Sequence, residues 1–396
     1  MTSRGALLLL GAFVLAACGG SGGAETGGGA PATTAAPAPK ISATVADGWT
    51  PTVIGEGIKP ALALDSSGAP AVAYLREDIE HGSVSFASQA DGWKPETVAE
   101  GYFYGPLDLA FDPQGRPNIV YHDHESTEVD PRKGNLVYAV RDPSGWSAEA
   151  ARNNGHDGWD SAIAIASDGV VRAAGVDPAQ FGSEEGVEYY ELGDGGWTVV
   201  SIGSGPVVYE FNVSLAVAPD GRPALTYYDD RAGDLVFASF DGKRWNLERA
   251  VSKGDAGKFS SLAFDARGRP HVSFLQQESP TSGAVRYAVR DGKKWVVEDV
   301  GTLGDLVLGM TGARRNTSLA LDAVGVPHIA FSDRSGLRYA VRSQSGWDVK
   351  DVVAAGERPL GQLVDLALDE TGTPHLAFYE VAGESPLEGL VAHLTG

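Results

Sequence analysis

The run YHDHESTEVD, residues 121–130, places two histidines on either side of an aspartate. On an extended chain His122 and His124 share a side, an arrangement in which two imidazoles can hold a divalent cation together. The neighbouring sequence offers no third ligand. The expectation is therefore no cofactor, with a divalent cation on His122 and His124 as the alternative. Asp123 belongs to a wider set: Asp123, Asp229, Asp333 and Glu380 each stand two positions after an aromatic residue. Such a set either forms a partial acidic ring around a ligand or caps its own turns through backbone N–H groups. The adjacent Arg314 and Arg315 could grip a carboxylate in bidentate fashion or remain a solvated pair. The last group is aromatic. Trp159 in GHDGWDS, with Tyr102, Tyr104, Tyr209 and Phe211, could stack on a sugar ring or a peptide; a loop tryptophan can equally plug a cavity. The sequence contains no nucleophile motif, phosphate-binding loop or clear metal cluster.

Whether these residues meet depends on the elements that carry them, and those elements repeat. SLALDAVGVPHIAF (318–331) returns as SLAFDARGRPHVSF (261–274), DLALDETGTPHLAF (365–378), DLAFDPQGRPNIVY (108–121) and ALALDSSGAPAVAY (61–74). SLAVAPDGRPALTY (214–227) and AIAIASDGVVRAAG (162–175) are degenerate copies. The period is about fifty residues, the range of propellers and solenoids. Each unit opens with a short apolar run. A turn with Gly follows, then a second strand opened by Pro, where a missing N–H is tolerated. A polar loop of variable length leads to a third strand such as LRYAVR (337–342), and a DG or SG turn leads to Trp and a fourth strand. Four short antiparallel strands make one blade. The inner strands are apolar on both faces, as expected of a sheet sandwiched between neighbours. The repeated His271, His328 and His375, each directly after Pro, are expected to be structural.

The fourth-strand tryptophans are Trp49, Trp93, Trp146, Trp197, Trp245, Trp295 and Trp347, one for each of the seven turn glycines. Trp159 follows Trp146 too closely to belong with them. The chain ends on a third strand, LVAHLTG, and the repeat region begins with a tryptophan strand, ADGWTPTVIGEG. Joining these two ends completes a seventh blade and leaves no open edge. The expected fold is an all-β, seven-bladed β-propeller over residues 41–396, with a monomeric body. In such a ring the tight turns lie on one face. The variable loops lie on the other, and that face would collect Trp159, the other aromatics and the acidic set.

The pattern D-x-x-G-x-P-H-[IV]-x-[FY], followed by G-x-L-x-Y-A and G-W, resembles bacterial propeller repeats near the sialidase-like (Asp-box, or BNR) superfamily. SFDGKRW (239–245) is the nearest approach to an Asp-box, S-x-D-x-G-x-T-W, and lacks the residue between Asp and Gly. The arginine triad and Tyr–Glu pair of sialidases find no match residue by residue, so none is carried over. The resemblance implies the fold. It also raises a glycoside hydrolase or lyase as the alternative function, which would need two funnel carboxylates about 5–9 Å apart beside arginines.

Residues 1–18 end in Leu15-Ala16-Ala17-Cys18 after an apolar run too short to span a bilayer as a mature helix. This resembles the lipobox of bacterial lipoproteins. It implies a signal peptide over 1–17, lipidation of Cys18, and anchoring in the cell envelope. Gly19 in place of Asp is similar to proteins passed on to an outer membrane where there are two membranes. Residues 18–40, rich in Gly, Ala, Thr and Pro, read as a tether. The chain of 396 residues carries 52 Asp plus Glu against 31 Lys plus Arg, a net charge of −21. Such a field repels nucleic acid and anionic lipid. The expected function is a non-catalytic module that binds a glycan or an envelope protein.

Overall fold

The computed structural model describes residues 39–396 apart from 77–81, 125–133, 154, 156–157, 178–185, 205–212, 307–314 and 383–387. Cys18, Tyr209, Phe211 and Arg314 therefore lie outside the described residues, as does the side chain of Tyr104. The described residues form seven antiparallel sheets and no helix. Blades 1 to 6 cover residues 58–101, 103–150, 159–204, 214–251, 255–303 and 317–354, with strands neighbouring one another in chain order. Blade 7 takes its three inner strands from 365–395 and its outermost from Thr50–Glu56. The innermost strands touch each other in sequence around a ring, and that of blade 7 touches Ile58–Leu64 of blade 1. The fold is a seven-bladed β-propeller.

Closure is made as expected, with Thr50 opposite Thr395 and Glu56 opposite Leu390. The chain does one thing more. Thr44–Val45 adds a short fifth strand to the outside of blade 6, with Thr44 opposite Ala354. The N-terminal strap thus spans two blades. It is pinned where Ser42 N (2.7 Å), Ser42 Oγ and Ala43 N all donate to the fully buried Glu380 carboxylate.

Burial follows the repeat. The second strand Pro70–Arg76 is buried at every residue but its last, whereas the outer strand Glu96–Gly101 is partly exposed. Small Ala71 and Ala73 let adjacent blades approach. The turn aspartate caps its own turn: Asp65 Oδ1 accepts Ser67 N (2.8 Å) and Ala69 N (3.0 Å), with Gly68 at φ +82. Asp112, Asp265, Asp322 and Asp369 do the same.

Each fourth-strand tryptophan packs on the third-strand ring of the preceding blade. Trp146 meets Phe86, Trp197 meets Tyr138, Trp245 meets Tyr189, Trp295 meets Phe237 and Trp347 meets Tyr287. Trp49 on Tyr339 and Trp93 on His393 carry the same contact across both sides of the closing blade. The indole N–H of Trp146, Trp197, Trp295 and Trp347 donates to a glutamate on the preceding blade's fourth strand. The repeated histidines sit beneath: His271 Nδ1 lies 2.5 Å from Tyr287 Oη and its Nε2 3.5 Å from Asp265. Blade 7 departs from this, with His393 in place of the aromatic, stacked on His375 at 5.2 Å.

Candidate functional site

Inner strands begin and second strands end on one face of the ring, so the long connections gather there. His122 lies at the end of Pro117–Asp123, opposite Tyr104 and Leu136. Its side chain is 1% exposed. The ring stands 5.3 Å from the indole of Trp159 and 6.5 Å from His124. Neither Nδ1 nor Nε2 has a hydrogen-bond partner among the described residues. Burial, with a smaller push from His124, lowers the His122 pKa to about 3. The imidazole is therefore neutral at ordinary pH, with one N–H to donate and one lone pair to accept.

Trp159 opens the innermost strand of blade 3, opposite Val176, and is partly exposed. Among the described residues it meets His122 on a second strand, where the other seven meet a third-strand ring. Its DGW triplet differs in purpose too. Gly158, at φ +81, packs so tightly on the backbone of Leu136 that a Cβ would not fit. This close approach brings the indole onto His122 in blade 2. The next residue, Asp160, is 1% exposed and adopts φ +54. Lys59 and Phe259 adopt the same left-handed backbone at the matching places in blades 1 and 5, each at a register shift between the first two strands. Bulges of this kind re-aim side chains at the rims of such sheets.

The other expected residues divide. Asp123 stands beside His122, opposite Phe103 and Asn135, and the carbonyl of Tyr102 accepts His124 N at 2.9 Å. These residues share the strand end that carries His122. Asp229, Asp333 and Glu380 sit in blades 4, 6 and 7. Asp229 Oδ1 caps Arg231 N and Ala232 N; Asp333 accepts Ser335, Gly336 and Gly304; Glu380 holds Ser42, Ala43 and Arg358. Their carboxylates are taken up by backbone and ion pairs within the fold. Among the described residues no group of three or more His, Cys, Asp or Glu comes together as a metal site.

Arg315 does grip carboxylates, and they belong to its own chain. It precedes the first strand of blade 6, and its Nη1 reaches Asp365 Oδ2 at 3.5 Å and, across the axis, Asp108 Oδ1 of blade 2 at 3.7 Å. Burial opposes its charge, but Asp108, Asp365 and Asp160 outweigh it and hold its pKa above the usual value. Burial pushes Asp108 up to about 6, against the pull of Arg315 and with a push from Asp365.

This exposes a feature that the sequence displayed and the pattern reading passed over. The first letter of each SLAF or DLAL run caps the following blade's inner strand. Ser214 Oγ accepts Leu262 N, Ser261 Oγ accepts Leu319 N and Ser318 Oγ accepts Leu366 N, at 3.0 to 3.1 Å. Asp365 Oδ2 accepts Leu62 N and Asp108 Oδ2 accepts Ile163 N. The recurrence of Ser or Asp at that one repeat position was the available signal.

Two open clefts lie elsewhere, one of 520 Å³ beside Arg116 and Arg141 and one of 510 Å³ beside Arg76 and Arg358. All four arginines are paired with carboxylates, so neither cleft offers a comparable constellation.

The fold and this loop-bearing face define a β-propeller with its candidate site at the mouth of the ring. Among solved structures, the chain is similar to a polysaccharide lyase PL25 ulvan lyase bound to -[GlcA(1-4)Rha3S]-, with 13% identity, TM-score 0.54, and coverage of 86% of this chain and 94% of the other. It is also similar to polysaccharide lyase Uly1 (10% identity, TM-score 0.52, 86% and 90% covered). A mutant of AofleA from Arthrobotrys oligospora matches at 14% identity and TM-score 0.51, with 78% and 90% covered. At these identities the likeness is one of fold. No protein-family model matches the chain, and no curated protein matches it in sequence.

Proposed function

We propose that this protein is a lipoprotein of the cell envelope, anchored through Cys18, whose propeller binds a glycan without catalysis at the mouth between blades 2 and 3. One observation carries the reading: a fully buried neutral imidazole, His122, keeps both nitrogens without a partner among the described residues while lying against the partly exposed indole of Trp159. Burying such groups unpaired costs free energy, about 1–3 kcal/mol each, which a ligand's hydroxyls would recover. An indole beside a two-way hydrogen-bonding group suits a sugar ring, with one apolar face and an edge of hydroxyls. Polysaccharide lyases among the fold's neighbours are consistent with a carbohydrate ligand.

The hydrolase or lyase reading would draw on Asp108, held near pH 6, and Asp365 beside Arg315. Both carboxylates already accept backbone N–H groups of other blades and share one guanidinium. They serve the ring, which favours binding over catalysis.

A screen of envelope and cell-wall glycans tests this, comparing the wild type with Trp159→Ala and following release of reducing ends or unsaturated products. Binding weakened about tenfold or more in the variant, roughly 1.4 kcal/mol, with no product formed, is expected. Equal binding by both proteins, or turnover, overturns it.

A further inference from the structure

We infer that a second hydrogen-bonding subsite lies at Ser332 and Asn316 of blade 6, across the ring from His122, and that the ligand is therefore an oligosaccharide reaching over the mouth and not a single sugar. The inference rests on the glycan-binding reading above and adds the size of the ligand.

The repeat itself points there. His122 follows Pro117 by five residues and stands opposite Leu136 of the third strand; Ser332 follows Pro327 by five and stands opposite Leu337. The same place holds Leu75, Val176 and Leu275 in blades 1, 3 and 5, and tyrosine in blades 4 and 7. Tyr228 is buried, but its Oη donates to Asp255 at 2.5 Å; Tyr379 is partly exposed. At this place, among the described residues, His122 and Ser332 are the buried side chains whose polar atoms have no hydrogen-bond partner. A second such atom adjoins Ser332. Asn316 is fully buried; its Nδ2 donates to the Ser332 carbonyl at 2.7 Å, and its own carbonyl accepts Ser332 N at 3.0 Å. Turning that amide over would set two acceptors against each other, so Oδ1 stays where no described residue donates to it. An Oγ that can donate and an Oδ1 that can accept match the hydroxyls of a sugar. Leaving such atoms unpaired in the interior is unfavourable, and a ligand's hydroxyls recover the loss. Arg315, the residue before Asn316, reaches Asp108 at 3.7 Å, and Asp108 lies on the strand paired with that of His122. Blades 7 and 1 separate the two places around the ring. One sugar on Trp159 does not extend that far; a chain of several does.

A glycan array graded in length from mono- to hexasaccharide tests the inference on the intact protein, with Ser332→Ala and Trp159→Ala alongside. Wild-type affinity is expected to rise with length. Ser332→Ala should weaken the longer ligands about fivefold, the worth of one hydrogen bond, and leave monosaccharides unchanged. Its melting temperature should not fall, because the hydroxyl that it removes has no partner in the fold. Trp159→Ala should weaken every length. Ser332→Ala binding each length like the wild type would mark the place as a structural water's site only and overturn the inference, leaving the glycan-binding reading in place. Affinity independent of length, or a Ser332→Ala protein that melts lower and binds every length less well, overturns it in the same way. Binding to no glycan, or binding that ignores Trp159, overturns both.

Discussion

At Arg315 one cation joins opposite sides of the ring. Its guanidinium is the counter-charge for Asp108 and Asp365, so removing it strands two carboxylates near the axis. Breaking a buried ion pair in this way costs about 3–5 kcal/mol. Arg315→Met is expected to lose that much in urea unfolding at pH 7. The loss should shrink toward pH 5, because Asp108, already raised to about 6, takes up a proton readily once the arginine is gone. A variant as stable as the wild type at pH 7 would show that the pair contributes nothing. The spacing of residues in sequence announced that Arg315 could grip a carboxylate; it could not say whose. That depended on which blade faces which across the axis.

At the scale of the strand, blade 7 is the odd member. Five third strands present Phe or Tyr at the tryptophan contact that repeats between blades, and Tyr339 of blade 6 makes a sixth; here the place is taken by His393, stacked on His375. An imidazole titrates near 6.5 in an unfolded chain. In the fold, burial and then His375 hold His393 at about 4. The stability linked to this group is therefore complete above pH 6.5 and is lost as pH falls from 6.5 toward 4, amounting to about 3 kcal/mol at most. His122 acts with the same sign. Asp108, whose pKa is raised, acts with the opposite sign and gains stability as pH falls through about 6. Burial lowers His271, His328 and His375 as well and raises Asp230 as it does Asp108, so among the described residues five histidines against two aspartates leave a net loss in acid. His393→Tyr restores the usual ring and should flatten denaturation midpoints between pH 7 and 4.5. An unchanged pH profile would clear the blade 7 pair of this role.

For the molecule as a whole, the strap from residue 39 to residue 56 supplies the outermost strand of blade 7, the extra strand of blade 6 and a ligand for the buried Glu380. Deleting it bares two sheet edges and one buried carboxylate at once. Calorimetry is expected to show the entire propeller melting at lower temperature in one transition, with light scattering rising as the edges pair between molecules. A truncated protein that melts like the wild type would mean that closure does not hold the ring.

Seven blades, their four-strand grammar and the closing strand were all legible in the sequence, because each depends on contacts that recur every repeat: an apolar run, a turn with Gly, a tryptophan. Trp159 stood out for the same reason, by breaking the period. The tertiary structure alone decided what Trp159 touches, that Glu380 and Asp333 serve the fold, and that the N-terminal strap reaches a second blade. Those contacts join residues from different blades at single, unrepeated places. Periodicity carries no information about them; only the geometry of the closed ring does.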